Sequence, residues 1–345
     1  MKRVAKKTAA LLLAAVMAGL MVTGCKSEET GTQAAKHSIR IGVTLYRGDD
    51  TFIGNIRMVL EEKAKAYEQE SGIKVNMDIV DAKGSQSTQN DQVEHFISVG
   101  CDVLCVNLVD RSDASAIIDK AITAGTPVVF FNRQPVEEDM NRWEELYYVG
   151  ADAKESAVLQ GNLVVDAYAK DPSLFDRNGD GVVKYVLLEG ETSHQDALIR
   201  TEWSVQTLKD GGVPIEKVIG GIANWERSQA SALMEQWLNT YPDEIELVIS
   251  NNDDMALGAI DAIERMKVSG IKLVGIDATI PGREAVESGK LFGSVESDKD
   301  TYAGTIFQIA AARALGQDLS GVEGMEDGKY FWIRQRPYTA ENVIR

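Results

Sequence analysis

The chain has 345 residues, of which 26% are charged and 44% hydrophobic, and a formal net charge of −17. So acidic a surface argues against nucleic acid and anionic lipid as partners, because both repel it. The length is enough for two domains.

The chain opens on a basic stretch, "MKRVAKK", followed by the apolar run "TAALLLAAVMAGLMV". This run is short for a bilayer span and is flanked like a signal peptide. It ends in "VTGC", small residues before Cys25, the pattern of a lipobox. Residues 1–24 are therefore expected to be removed and Cys25 to carry lipid. The blander reading is an ordinary signal with a chance cysteine. Residues 25–38 are polar and free of apolar rhythm, and they read as a flexible tether. No later apolar stretch is long enough to cross a bilayer. Ordered structure is expected from about Ile39.

From there, strand-like and helix-like segments alternate. "IRIGVTL" reads as a strand, and the helical pattern "IRMVLEEKAKAYEQESG" stops at Gly72. "KVNMDIVDA", "TQNDQVEHFISVG", "DVLCVNL", "ASAIIDKAITAG" and "TPVVFFN" continue the cadence. Units of this length predict right-handed βαβ crossovers and a parallel sheet. Cys101 and Cys105 fall on one extended segment, about 13 Å apart at strand rise, too far for a disulfide. Their spacing is not that of a zinc site. "YYVGADAKESAVLQGNLVVDAYAKDP" reads as a turn and a helix leading to a second series.

That series is preceded by "DRNGDGVVK", residues 176–184. Asp176, Asn178, Asp180 and Gly181 stand at the first, third, fifth and sixth places of an EF-hand-type loop. Lys184 stands at the ninth place and Leu187 at the twelfth, where oxygen ligands belong. The second series then runs through "KYVLLEG", "HQDALIRTEWSVQTLKDGG", "EKVIGGIA", "SQASALMEQWLNTYP", "IELVISN", "MALGAIDAIERMKVSG" and "KLVGIDA". Two similar α/β series predict two lobes with a cleft between them. Parallel sheets bind ligands at the carboxyl ends of their strands.

The residues at those ends are Asp50 and Phe52, Asn132, His194 with Asp196 and Arg200, Trp225, Asn252, and Asp277. Planar Asp, Asn, Arg and His groups each make paired, directed hydrogen bonds, as the hydroxyls of a sugar require. Flat rings cover the apolar C–H faces of a sugar. Each residue alone has a plainer reading. Asp50, Asn252 and Asp277 could cap helices, and Phe52 and Trp225 could be core. Their shared position at strand ends favours the ligand reading.

"IGVTLYRGDDTF", "PVVFFNRQP", "YYVGADAKES", "VLLEGETSHQDALIRT", "NNDDMALGAI" and "GIDA" resemble the bacterial galactose/glucose-binding proteins, type I periplasmic-binding proteins that serve sugar ABC transporters. The similarity runs from about residue 40 to the C-terminus. It implies two Rossmann-like lobes, each a parallel sheet flanked by helices, joined by a three-stranded hinge. The lobes would comprise residues 39–149 with 298–331, and 150–297 with 332–345. Hinge crossings would fall near 149–152, 296–299 and 331–333. It also implies sugar contacts at Asp50, Phe52, Asn132, His194, Asp196, Arg200, Trp225, Asn252 and Asp277. Asp50 would bond the 4-hydroxyl of either epimer, and Phe52 and Trp225 would cover the two faces of the ring. Ser297 stands where the family has an asparagine.

The resemblance further implies a calcium site of Asp176, Asn178, Asp180, the carbonyl of Val182 and Glu246. Lys184 replaces a glutamine of the family. Either the lysine swings away and calcium binds more weakly, or its ammonium serves as a built-in cation. A solvated turn is the third reading, and surviving oxygens favour calcium. The function implied is an exported hexose receptor, monomeric and held to the outer face of the cytoplasmic membrane by its lipid. It would take D-galactose or D-glucose and deliver it to an ABC permease. The alternatives are a sugar-sensing lipoprotein acting through a membrane partner, or a carbohydrate-active enzyme, for which no nucleophile elbow, zinc motif or phosphate loop is present.

Overall fold

The computed structural model describes residues 36–342. The expected leader, Cys25 and most of the tether lie outside the described residues. The first strand, β1 (Ser38–Leu45), begins one residue earlier than expected. It is followed by α1 (Thr51–Ser71), β2 (Lys74–Asp81), α2 (Gln86–Ser98), β3 (Val103–Val106), α3 (Ser115–Ala124) and β4 (Val128–Phe131). Asp50 caps α1, and Gly72 ends it in the left-handed conformation. A short helix, α4 (Glu137–Met140), leads to β5 (Leu146–Ala151). The sequence reads that last segment as part of a turn. It is a strand because its apolar residues are buried between β4 and a later strand.

α5 (Ala153–Lys170) opens the second half, which continues through β6 (Val183–Glu189), α6 (Gln195–Asp210), β7 (Ile215–Ile222), α7 (Arg227–Thr240), β8 (Leu247–Ser250), α8 (Asp253–Met266), β9 (Lys272–Val274) and α9 (Ile280–Glu287). The chain closes with β10 (Ser294–Ser297), α10 (Lys299–Ala314), β11 (Tyr330–Ile333) and β12 (Gln335–Tyr338). One sheet has the order β11-β5-β4-β3-β1-β2 and the other β7-β6-β8-β9. Every pairing within these two sheets is parallel. β10 and β12 form a separate antiparallel pair.

Parallel strands covered by helices on both faces bury both sets of side chains, which is why they read as unbroken apolar runs. In the first sheet Val103, Cys105, Val129 and Phe131 enter the core under α1 and α10, while Leu104, Val106, Val128 and Phe130 enter the core under α2 and α3. In the second sheet Val186, Leu188 and Val248 face α7 and α8, whereas Tyr185, Leu187, Leu247 and Ile249 face α5 and α6. Cys101 and Cys105 are both free thiols, and Cys105 is fully buried.

The chain passes between the two sheets three times. β5 belongs to the first sheet, while α5 packs on the second. β10 joins the second sheet's edge through bridges at Gly293 and Glu296, while α10 returns to the first sheet's core. β11 is an edge of the first sheet, and β12 pairs with β10.

Candidate functional site

All nine strand-end residues singled out in the sequence line one cavity. Tyr46, Ile53 and Arg133 line it as well. The first sheet supplies Tyr46, Asp50, Phe52, Ile53, Asn132 and Arg133; the second supplies His194, Asp196, Arg200, Trp225, Asn252 and Asp277.

Asp50 is both cap and wall. Its Oδ1 accepts the Ile53 N–H at 2.9 Å and its Oδ2 accepts the Tyr46 hydroxyl at 2.6 Å. Burial pushes the Tyr46 phenol up, so it stays protonated and donating. The Arg133 guanidinium lies 3.8 Å over the Tyr46 ring and donates to the Val109 carbonyl at 2.6 Å. Across the cavity mouth it meets Glu191 Oε2 at 2.9 Å. Asn132 sits in left-handed backbone, φ 63°, directly after β4. The Asn107 amide donates to its Oδ1 at 3.1 Å, and Tyr148 donates to its carbonyl at 2.9 Å.

His194 caps α6 by accepting the Asp196 N–H on Nδ1 at 3.1 Å. An accepting Nδ1 means a neutral ring, which leaves Nε2–H as the donor. Burial first, then the charges of Arg133 and Arg200, hold its pKa well below the usual value. Arg200 donates to the Asn251 carbonyl at 3.0 Å and lies 3.4 Å from Asp196 and 3.8 Å from Asp277. Its buried Nε has no partner among protein atoms, and neither has the buried Nε1 of Trp225. Unpaired buried donors on a cavity wall call for a ligand acceptor. Burial raises the carboxyls of Asp196 and Asp277, against the opposing pull of Arg200.

Trp225 is 8% exposed and stands edge-on to His194, ring centroids 5.2 Å apart. Its backbone is left-handed, φ 66°, and a side chain at Gly190 would overlap its ring. Asn252 caps α8 through Met255 N–H at 2.9 Å and reaches the Trp225 carbonyl at 3.4 Å. Phe52, in the first turn of α1, is held edge-on by Tyr302. Asp277 is also in positive-φ backbone, at 112°. Strained backbone at Asn132, Trp225 and Asp277 thus clusters on this wall. Ser297 does not line the cavity; its hydroxyl accepts from Gln335 Nε2 at 3.2 Å.

Of the three further lining residues, Arg133 stands beside Asn132 at a strand end but was given no ligand role, and Tyr46 also follows a strand; that position was the available signal. Ile53 carried none.

The loop at 176–184 was expected to hold calcium, and its donor set does not fit the ion as arranged. Both oxygens of Glu246 accept backbone N–H groups, and the Lys184 ammonium stands 3.4 Å from Asp180 Oδ2. Among the described residues no group of three or more His, Cys, Asp or Glu is placed to hold a metal ion. No helix among them is long and apolar enough to cross a membrane.

A family model described as a periplasmic binding protein domain matches residues 41–318. The chain is 38% identical over 288 residues to the D-galactose/methyl-galactoside binding periplasmic protein of Haemophilus influenzae, covering 83% of this chain and 84% of that one. It is 28% identical over 315 residues to the xylitol-binding protein of Mycolicibacterium smegmatis, covering 89% and 81%. A solved ABC transporter solute-binding protein from Bacillus halodurans, with bound myo-inositol, superposes with a TM-score of 0.74 at 30% identity. That likeness covers 90% of this chain and 98% of the other.

Proposed function

The chain belongs to the periplasmic binding protein family, extracytoplasmic solute receptors rather than enzymes, and from that premise we propose that it is the hexose receptor of an ABC transporter. The observation that carries the proposal is the convergence of nine polar and aromatic residues at strand ends on one cavity between the two sheets. Three carboxylates, two carboxamides, an imidazole donor and an arginine with a free Nε suit a neutral ligand rich in hydroxyls. Phe52 and Trp225, one from each sheet, give that ligand apolar faces to rest on. A ligand of one charge sign would leave either the acids or the arginines unanswered.

The relatives point to the same chemical class. One is named for galactose, one for xylitol, and a solved neighbour holds myo-inositol, all neutral polyols. Galactose or glucose is the finer choice, supported by the galactoside-binding relative and by Asp50, whose carboxylate can accept from either 4-epimer. Capture works by closure: residues 39–149 with 298–331 rotate against residues 150–297 with 332–345, and sugar favours the closed arrangement. The monomeric receptor then hands its cargo to a permease. Lipid on Cys25 keeps it at the outer face of the cytoplasmic membrane.

Two experiments test this reading. Intrinsic fluorescence of the purified protein should change on adding galactose or glucose, and the change should vanish in Trp225→Phe; a response that survives in the variant contradicts the placement of sugar against Trp225. Cell fractionation should find the parent with membranes and Cys25→Ser soluble or unprocessed; equal membrane partitioning of both contradicts the anchor.

A further inference from the structure

The loop at 176–184 lies at the amino end of β6, away from the cavity at its carboxyl end. Its motif has the acids of a calcium loop, and each of them accepts hydrogen bonds from nearby backbone N–H groups. Asp176 accepts the N–H groups of Gly179 at 2.8 Å and Asp180 at 3.2 Å on Oδ1, and that of Gly181 at 2.9 Å on Oδ2. Asp180 Oδ1 accepts the Val182 N–H at 2.9 Å. Glu246, 1% exposed, accepts Arg177 N–H at 2.8 Å and Asn178 N–H at 3.2 Å on Oε1, and Lys184 N–H at 2.9 Å on Oε2. Asn178 Oδ1 accepts the Asp180 N–H at 2.7 Å, and its Nδ2 donates to Asp180 Oδ2 at 3.0 Å. That amide offers a donor where a cation needs an acceptor.

Calcium takes six to eight oxygens. An ammonium has no lone pair to give a metal and repels it at short range. Lys184 Nζ stands 3.4 Å from Asp180 Oδ2, on the side chain that would have to turn away to admit an ion. The nearby Arg177 guanidinium is directed elsewhere, to the Ser269 carbonyl at 2.7 Å.

We propose that this loop is metal-independent: Lys184 supplies the positive charge that a calcium ion would otherwise bring, and backbone N–H groups take up the remaining carboxylate oxygens. The lysine is covalently part of the loop, so the charge is present at any calcium concentration. The strand that leads to His194 and its neighbours, β6, is then anchored at its far end without a metal. The inference does not depend on the sugar reading, because its readouts are stability and calcium binding.

The test compares melting temperatures of the purified protein in chelator and in millimolar calcium, with calorimetric titration of calcium alongside. The parent should melt at the same temperature in both and give no binding heat. Lys184→Met should melt lower than the parent in chelator, having lost the internal cation. Lys184→Gln should gain a calcium-dependent rise of several degrees, because a ligand that binds only the folded state stabilises it. A parent that binds calcium, or melts higher in it, overturns the proposal. So does a Lys184→Met variant as stable as the parent in chelator, since the lysine would then contribute nothing.

Discussion

Trp225 is held by its surroundings rather than by local preference. Left-handed backbone is costly for a bulky residue, and the Asn252 amide, the His194 edge and the bare backbone of Gly190 together fix its ring against the cavity. Truncation of a ring that both stacks and excludes water typically costs 2 kcal/mol or more, so Trp225→Ala is expected to weaken sugar binding by about 2–4 kcal/mol in a calorimetric titration. A second residue makes a pH prediction. Asp253, fully buried, accepts Ser294 Oγ at 2.6 Å and the Thr279 N–H at 2.9 Å, bracing the turn that presents Asp277. Burial pushes its carboxyl up to about 7 from 3.8. The folded state then holds this proton where the unfolded state has lost it. The contribution to stability is full below about pH 4 and disappears as pH rises through about 7. Asp253→Asn should therefore lose less melting temperature than the parent between pH 5 and pH 7.5. The nine lining residues were legible because each follows a strand of a recognisable series. Arg133 and Tyr46 follow strands too, but an aromatic after an apolar run reads as core, and Tyr46 is indeed buried. What the sequence could not supply was the pairing of Arg133 with Glu191, which depends on two loops from different sheets.

At the scale of elements, the alternating series was legible from β1 to β9 because parallel strands buried on both faces give continuous apolar runs of strand length. β5 was read as a turn because its tyrosines and glycine lack that plain apolar signature, and its pairing with β11 comes from nearly two hundred residues later. β10 and β12 are four residues each and carry Ser, Glu, Gln, Arg and Pro, so their strand character is set by pairing and not by pattern; β11, Tyr-Phe-Trp-Ile, is apolar and equally short. Close approach also shapes β1. A Cβ at Gly42 would come within 2.5 Å of the Phe96 ring, which packs α2 onto the sheet. Gly42→Ala should destabilise the fold by about 1–3 kcal/mol, the usual cost of overpacking, in a denaturant titration. Sugar affinity should be little changed, because Phe96 does not line the cavity.

For the whole molecule, charge pairs bridge the two sheets at the rim of the cavity. Arg47 meets Glu226 at 2.7 Å and Arg133 meets Glu191 at 2.9 Å. Arg133 is only 4% exposed, so removing its partner leaves a buried charge without its counterion. Glu191→Gln should weaken sugar binding by about 2 kcal/mol or more, seen chiefly as faster release in stopped-flow fluorescence. Glu226→Gln, at a more exposed pair, should cost under about 1 kcal/mol. The account stands or falls on what enters the cavity between the sheets. The most direct measurement is calorimetric titration of the purified protein with galactose, glucose, myo-inositol and ribose. The account predicts saturable one-to-one binding of galactose or glucose, with ribose weaker by about a hundredfold or more, because a site built to bond hydroxyls penalises their loss. No heat with either hexose, or ribose or myo-inositol binding as tightly, would contradict it.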